Sequence, residues 1–463
     1  MVEISRFLSV CLMVALSAAG CSKSAHTPSG GAAPVIPVTD KPAVLATISP
    51  DDKPVSFTMT SGASFHGESK TELQFVFSDN GGGVAYIVEK SGLSQVVHNS
   101  RPGKPYKAVG TLRISPDGRR IAYGALLDGK WRMVVDGVEG EPFNTVKEPL
   151  FSPDGRHVAY QAMKGEKWHL VVDTTANAGT KTRYLDHQFS GNGNSIVWID
   201  NADEEGKKGR LVVSDTGFKN ERVIDPAVTR MVLNADKTSV AAVARNIAGK
   251  ERVLQFSFAT PETVTRWGEY DKIHSPSFAS TGAAVTFVGE RAGRMSVCFN
   301  GQEEYLPAGL MPGALVVNPV TKAAGTLMYA DNRVFPYQAI RNSGRLAANG
   351  YEEGEGLVYS QDGAKYAFTA RSGAGWFVVV NGADGPVFDK VVSPKFSPDG
   401  KYLVYRARKD GSRFVVVADS SGKTLRQHPA YEQVFDVQFT ADGKSVAYGV
   451  KDGQQLAWKV EKL

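Results

Sequence analysis

Residues 396–405 read Phe-Ser-Pro-Asp-Gly-Lys-Tyr-Leu-Val-Tyr, and this stretch decides the fold. Pro398 fixes φ at the second position of a tight turn, Asp399 can hydrogen-bond the backbone two residues on, and Gly400 accepts the positive φ that closes such a turn. An alternating strand follows the turn. The stretch therefore predicts a strand, a tight turn and a second strand.

The same unit recurs along the chain. Nearly identical copies occupy residues 114–123, 151–160 and 439–448, and more degenerate copies lie between them. The first residue of each turn is found at these ten positions, which are 37 to 45 residues apart: Ser78, Ser115, Ser152, Ser190, Asn234, Ala279, Asn318, Ser360, Ser397 and Thr440. The pattern between them predicts four strands per repeat, which is typical of propeller blades.

These repeats resemble the WD40-like (PD40) propeller repeat of the TolB type, whose hallmark is the run Phe-Ser-Pro-Asp-Gly-x-x-Leu-Ala-Tyr. The resemblance covers residues 65–463 and implies an all-β propeller of about ten four-stranded repeats. The separate α/β domain that precedes the propeller in TolB has no counterpart in the sequence. The resemblance therefore bears on the fold rather than on TolB's own role.

The number of rings is open at this stage. Ten repeats exceed the four to eight blades of usual propellers, which favours two smaller rings with a boundary near residues 255–275 over one large ring. The last repeat is one strand short. We expect residues 54–60 to supply that strand, so the propeller region is predicted to span residues 54–463.

The N-terminal segment resembles a bacterial lipoprotein signal. Arg6 and an apolar run over residues 7–16 precede Ser-Ala-Ala-Gly and then Cys21. The resemblance implies removal of residues 1–20, a lipid on Cys21 and, because Ser22 follows, sorting to the outer membrane facing the periplasm. An ordinary secretory signal cut near Gly20 and an uncleaved anchor are the alternatives. Residues 21–53 are rich in Pro, Gly and Ser, which predicts a tether.

The sequence offers no recognisable catalytic, metal or cofactor motif. It has no nucleophile elbow, phosphate-binding glycine loop or zinc-protease helix, so neither a catalytic residue, a metal nor a cofactor is predicted. Of the three cysteines only Cys298 lies in the propeller region, on an alternating strand, where we expect a buried apolar side chain. Trp131, Trp168 and Trp376 are expected between blades, although an aromatic ladder could also bind sugars.

Charges concentrate on one set of hairpins. In a propeller the hairpins between second and third strands share one face, and here they are basic. The opposite face is predicted to carry the acids near the next turn: Asp136, Glu139, Glu141, Glu303, Glu304, Asp384 and Asp389. The formal net charge of +5 conceals this separation. The predicted partner-binding residues are Lys208, Arg210, Arg291, Arg294, Arg408 and Lys409. Solubility of the hairpin tips is the alternative explanation for these charges.

Two classes of function fit the sequence. The favoured one is a lipid-anchored, non-catalytic binding or scaffold protein of the bacterial cell envelope, which recognises a protein or peptide partner through a propeller face. The basic hairpins can attract an acidic partner. The alternative is an envelope enzyme, or a propeller accessory to a peptidase, that acts on peptide or polysaccharide through its face loops. Nucleic acid is not expected as a partner of an exported protein.

Overall fold

The computed structural model describes residues 36–64, 67–200, 208–279, 282–373 and 375–463. The predicted signal segment and Cys21 lie outside these ranges. Within them the protein is all-β, with many small antiparallel sheets, as the repeats predicted. In the same ranges there is no helix that is long and apolar enough to cross a membrane.

The first blade contains an inserted hairpin. In chain order, the first eight strands are β1 (Ala43–Thr47), β2 (Pro54–Val55), β3 (Phe57–Ser64), β4 (Gly67–Leu73), β5 (Phe75–Phe77), β6 (Val84–Lys90), β7 (Leu93–His98) and β8 (Arg101–Tyr106). β1 belongs to the sheet of the last blade, and β2, β5, β6, β7 and β8 form the sheet of the first blade. Both β2 and β5 pair with β6 at its inner edge, and β7 and β8 complete the sheet. The β3–β4 hairpin separates the two halves of the inner strand.

Blades 2 and 3 are regular four-stranded sheets. Blade 2 consists of β9 (Ala108–Ile114), β10 (Ile121–Leu127), β11 (Lys130–Val135) and β12 (Val138–Glu139); blade 3 consists of β13 (Thr145–Phe151), β14 (Val158–Lys164), β15 (Lys167–Val172) and β16 (Thr175–Ala176). In both blades the fourth strand is short.

Blades 4 and 5 share a strand and form one seven-stranded sheet. It contains β17 (Asp186–Phe189), β18 (Ser195–Asp200), β19 (Gly209–Asp215), β20 (Arg222–Leu233), β21 (Ser239–Arg245), β22 (Glu251–Ser257) and β23 (Thr260–Tyr270). The first part of β20 pairs with β19, and its second part pairs with β21 after a register shift. β20 is thus the outer strand of blade 4 and the inner strand of blade 5.

Blades 6 to 8 continue the series. Blade 6 has β24 (Lys272–Phe278), β25 (Val285–Arg291), β26 (Arg294–Phe299) and β27 (Gln302–Tyr305); blade 7 has β28 (Met311–Pro312), β29 (Val316–Val317), β30 (Ala324–Ala330), β31 (Arg333–Ala339) and β32 (Gly344–Arg345); blade 8 has β33 (Glu353–Tyr359), β34 (Tyr366–Ser372), β35 (Gly375–Val380) and β36 (Ala383–Asp384). The degenerate repeat that begins at Asn318 is therefore a blade.

The last two blades end the chain. Blade 9 has β37 (Lys390–Phe396), β38 (Tyr402–Lys409), β39 (Ser412–Asp419) and β40 (Thr424–Gln427), and blade 10 has β41 (Gln433–Phe439), β42 (Ser445–Asp452) and β43 (Gln455–Lys462). β1 is the fourth strand of blade 10, because Ala43 pairs with Trp458 and Thr47 with Gln455. The prediction that residues 54–60 close the propeller is wrong: β1 closes it, from within the segment predicted as a tether.

One ring, rather than two, contains the ten blades of the described chain. Phe435 of blade 10 packs on Phe77 of blade 1 with ring centroids 4.7 Å apart, within a hydrophobic cluster that joins these two blades. Blade 5 packs on blade 6 through Val253 and Phe287. Two rings would instead pair blade 5 with blade 1, so the favoured two-ring arrangement and the boundary near residues 255–275 are not what the chain adopts.

A hydrogen-bond network explains why the repeated turn is so recognisable. Ser397 Oγ donates to Asp399 Oδ1 (2.6 Å) and accepts the Tyr402 N–H (2.9 Å), while Asp399 Oδ1 also accepts the Lys401 N–H (3.1 Å). Gly400 has a φ of 71°, as predicted. Equivalent side-chain bonds recur in the turns that begin at Ser115, Ser152, Ser360 and Thr440. The repeated aspartates are therefore turn formers.

The tryptophan and cysteine side chains singled out in the sequence pack between blades. Trp376 lies in the cluster between blades 8 and 9, and Trp131 and Trp168 pack against the clusters on either side of blade 3. Cys298 is buried in the cluster between blades 5 and 6 and lies 3.2 Å from the Tyr270 hydroxyl. Burial raises the pKa of its thiol to about 11. The expected structural roles of these residues are confirmed.

Candidate functional site

The ring has two faces with different construction. The turn face carries the Ser-Pro-Asp-Gly-type turns and the turns between third and fourth strands; Asp136 joins the two kinds by accepting the Arg120 Nε–H (2.8 Å) and the Ile121 N–H (2.9 Å). The hairpin face carries the hairpins between second and third strands. It also carries the linkers that lead from each blade to the next.

Two of the predicted partner-binding residues are engaged in structural contacts. Arg210 makes a bidentate contact with Asp200, with Nε–Oδ1 and Nη2–Oδ2 distances of 2.9 and 3.1 Å, and the Asp200 side chain is buried. Arg291 bonds both carboxylate oxygens of Glu303 at 2.8 Å and lies over the Tyr270 ring, 3.9 Å from its centroid. Arg210 therefore links two strands of blade 4, and Arg291 links two strands of blade 6.

The other four residues are less constrained. Arg294 lies over the Tyr305 ring at 4.4 Å from its centroid. Arg408 and Lys409 are exposed, Lys208 is half-buried, and none of the three forms an ion pair within the described ranges. Lys130 and Lys167, at the hairpins of blades 2 and 3, are also exposed and make no ion pair with described residues. We call these five residues, Lys130, Lys167, Lys208, Arg408 and Lys409, the available cations, because none of them forms an ion pair with a described residue.

The predicted separation of charge between the faces is wrong for part of the acidic set. Glu141 forms an ion pair with Lys164 of a blade 3 hairpin (3.1 Å), and Glu303 contacts Arg291. The physical reason is that each fourth strand runs back from the turn face to the hairpin face. Acids a few residues beyond the turn therefore approach the basic hairpins.

The hairpin face also carries a second acidic set, in the linkers between blades. Its contacts were not predicted, and the prediction that Asp389 lies on the opposite face is wrong. The linkers carry Asp271, Asp389 and Glu432, whose carboxylates accept backbone N–H groups of the hairpin in the following blade at 2.7, 2.9 and 2.9 Å. Asn144 does the same with its amide oxygen at 3.1 Å. In all four cases the partner lies 21 residues further along the chain. This constant spacing is the signal that would have revealed the contact.

A buried polar cluster joins the inner strands of blades 2 to 4. Glu148, at a bulge of β13 with a φ of 55°, accepts a hydrogen bond from Gln161 Nε2 at 2.9 Å, and its backbone bonds the His187 ring. Burial raises the pKa of the Asp186 carboxyl to about 7 and lowers the pKa of the His187 ring to about 4. Burial also lowers the pKa of the nearby Arg113 guanidinium to about 10.

We assign this cluster a structural role, because burial favours the neutral forms of its ionisable side chains. Between pH 4 and 7 its aspartic acid and its histidine both favour their neutral forms, which is what burial of an unpaired charge demands. Gln161 Oε1 and His187 Nε2 have no partner among the described residues. Both atoms accept hydrogen bonds in this arrangement, so a water molecule could donate to them. The cluster was invisible in the sequence because its members come from three different repeats.

The inserted hairpin narrows the central channel. β3 lies against the inner strands β9, β17 and β20 of blades 2, 4 and 5. The propeller repeats predicted no such insertion. In the part of the chain that the structure describes, no group of three or more His, Cys, Asp or Glu side chains could hold a metal ion.

Comparisons with known proteins add little to this geometry. The sequence matches no protein-family model and no curated protein. Among solved structures, a eukaryotic initiation factor is 11% identical, with a TM-score of 0.46, and the match covers 76% of this chain and 96% of that one. TolB from Acinetobacter baumannii is 14% identical, with a TM-score of 0.29 and coverage of 62% and 80%.

A third similar structure is dipeptidyl peptidase 4 from Porphyromonas gingivalis. It is 13% identical, with a TM-score of 0.42, and the match covers 86% of this chain and 67% of that one. At such identities a structural likeness speaks only to fold, and these scores are too low to support an argument about activity. The propeller assignment stands on the sheets of the protein itself.

Proposed function

We propose that the protein is a lipid-anchored binding or scaffold protein of the bacterial cell envelope, whose hairpin face captures a protein or peptide partner of acidic character. The supporting observation is the set of five available cations, Lys130, Lys167, Lys208, Arg408 and Lys409, which lie on one face of the ring and have no ion pair with a described residue. Exposed cations accelerate the approach of an acidic partner, and their effect is screened over about 8–10 Å at physiological salt.

The anchor has its own test. Cys21→Ala removes the only thiol that the lipobox resemblance would acylate, so the variant should move from the membrane fraction to the soluble envelope fraction. Mass spectrometry of the wild-type N-terminal peptide should show acyl chains on Cys21. A membrane-bound variant together with a wild type that carries no acyl mass would contradict the anchor.

The binding face is tested with full-length Cys21→Ala protein as bait, so that membrane attachment does not confound capture. The test variant changes Lys130, Lys167, Lys208, Arg408 and Lys409 to Glu. The matched control changes five exposed cations of the turn face, Arg119, Arg156, Lys401, Lys423 and Lys444, to Glu. Both variants have the same net charge.

The hairpin-face variant should slow capture of envelope proteins by about tenfold or more and should flatten its dependence on salt. The turn-face variant should capture almost as well as the parent. Equal losses from both variants, or no loss from the first, would remove the basis for assigning the hairpin face, and the charges would then serve solubility. Circular dichroism and melting curves confirm that both variants fold.

A further inference from the structure

The path of the chain fixes the face from which the N-terminal segment leaves the ring. β1 runs antiparallel to β43, and Thr47 pairs with Gln455 beside the blade 10 hairpin, whereas Ala43 pairs with Trp458, further along β43 towards the turn face. Going backwards along the chain from Ala43 therefore leads away from the hairpin face. The segment before β1 emerges on the turn face.

Direct contacts hold the exit point in place. The Thr39 N–H donates to the carbonyl oxygen of Asn80 (2.8 Å), which belongs to the first turn of blade 1. Trp458 Nε1 donates to the Thr39 carbonyl (3.4 Å). The chain is thus attached to the turn face at Thr39, where blades 10 and 1 meet.

The attachment point lies close to the proposed anchor along the chain. Seventeen residues lie between Cys21 and Thr39. Even a fully extended chain of that length reaches only about 60 Å, so an anchor at Cys21 keeps the ring beside the bilayer. The turn face is the face at which the anchored chain enters the ring.

The turn face also offers positive charge to a lipid surface. Arg119, Arg156 and Lys401 have 85%, 67% and 74% of their side chains exposed, while the aspartate of each turn accepts a hydrogen bond from the serine behind it. Each cation is ion-paired with the aspartate of its own turn, but it is the more exposed partner of that pair, so the positive group lies outermost. Anionic headgroups attract such side chains near the membrane surface.

From these observations we infer that the turn face is oriented towards the phospholipid surface of the membrane and that the hairpin face is presented to the aqueous compartment. This inference rests on the proposed lipid anchor at Cys21. It gives the anchor a second role, because the exit at Thr39 keeps the five available cations of the hairpin face away from the bilayer and accessible to a partner.

The test uses acylated full-length protein in phospholipid vesicles that contain a headgroup-labelled acceptor lipid. Donor dyes are attached to single cysteines introduced in two matched pairs on the same blades: Arg119→Cys and Lys130→Cys in blade 2, and Lys401→Cys and Lys409→Cys in blade 9. The strands that separate the two positions, β10 and β38, have seven and eight residues and span about 23–26 Å. Energy transfer from the turn-face dye should therefore be at least about twofold greater. The buried thiol of Cys298 should not react.

Equal transfer within each pair, or greater transfer from Lys130→Cys and Lys409→Cys, would overturn the orientation. The same labelled proteins carrying Cys21→Ala should show no transfer to vesicles. Acyl mass on Cys21 is measured in the same samples, so a missing anchor is recognised separately from a wrong orientation. An acylated, vesicle-bound protein with no difference between faces would refute this inference and leave the anchor intact.

Discussion

The turn face and the hairpin face use their polar residues in opposite ways. On the turn face, serine and aspartate side chains close each turn on itself, and the same bonds recur from blade to blade. On the hairpin face, linker acids reach the next blade, and several cations have no ionic partner in the described chain. A face whose polar groups bond one another supports the ring, whereas unpaired cations leave the other face able to bind.

The largest expected effect is a difference in stability between the alanine variants of two glycines, Gly118 and Gly129, which share a φ of 73°. A Cβ on Gly118, in the turn face, would lie 2.3 Å from the Gly83 backbone nitrogen, whereas a Cβ on Gly129, in a hairpin, would meet nothing within 4 Å. Gly129→Ala should therefore cost only backbone strain, about 1 kcal/mol. Gly118→Ala should cost a further 1–3 kcal/mol or so, because two blades must move apart.

Urea unfolding of the two alanine variants measures this difference. The account requires Gly118→Ala to be the less stable protein. Equal midpoints would mean that blades 1 and 2 do not approach as closely as described, and the contrast between a packed turn face and an open hairpin face would fail.

A second comparison lies within the hairpin face itself. Arg210→Ala removes both hydrogen bonds of the guanidinium to the buried Asp200 carboxylate, which keeps the Trp198 Nε1–H as a side-chain donor. Loss of one partner of a buried charge costs about 3 kcal/mol, and less where the lost arginine is partly exposed. Lys409→Ala should change stability by less than about 0.5 kcal/mol.

Thermal melting of both variants checks this distinction between engaged and available cations. If Arg210→Ala melts with the wild type, Arg210 returns to the set of available cations. If Lys409→Ala is clearly destabilised, Lys409 has a structural contact and should be removed from the proposed binding face.

A smaller effect concerns the polar cluster near the channel. The pKa of Asp186 is raised from 3.8 to about 7, so between these values the folded state holds more protons than the unfolded state, and stability falls as pH rises. The pKa of His187 is lowered from 6.5 to about 4, so between these values the unfolded state holds more protons, and stability rises with pH. The two contributions oppose each other between about pH 4 and 6.5.

Single substitutions should expose each contribution. Asp186→Asn should leave a protein whose stability increases from pH 4 to 6.5, and His187→Gln should leave one whose stability decreases from pH 4 to 7. The slope approaches 1.4 kcal/mol per pH unit for one proton. Urea titrations at half-unit pH intervals measure it. Parallel profiles for the two variants would show that the pair is not buried as described.

Contacts between residues close in sequence could be predicted, and contacts between distant residues could not. The turn network is formed by residues two to five positions apart, so most blades can be recognised from their own turns, including the degenerate copy at Asn318. The closing strand is different, because Ala43 pairs with Trp458, and nothing near Ala43 encodes that partner. Residues 54–60 alternate apolar and polar side chains more clearly than residues 43–47 do, so the local pattern favours the wrong closing strand.

The same reasoning applies to the candidate site. Positions of Arg408 and Lys409 at a hairpin tip follow from the repeat, but pairing of Arg210 with Asp200 and of Arg291 with Glu303 depends on where neighbouring strands bring the acids. The cluster of Glu148, Gln161 and His187 joins different blades in the same manner. Contacts within one turn were predictable from sequence, whereas contacts between strands and between blades required the folded sheets.

The central claim, that the hairpin face meets the partner while the turn face supports the ring, is tested most directly by photo-crosslinking in cells. A photoreactive amino acid replaces Lys130 or Lys409 on the hairpin face, and Arg119 or Lys401 on the turn face of the same two blades. Irradiation should produce a discrete protein adduct from positions 130 and 409 and no protein adduct from positions 119 and 401. Protein adducts from the turn-face positions alone, or equally from both faces, would contradict the claim.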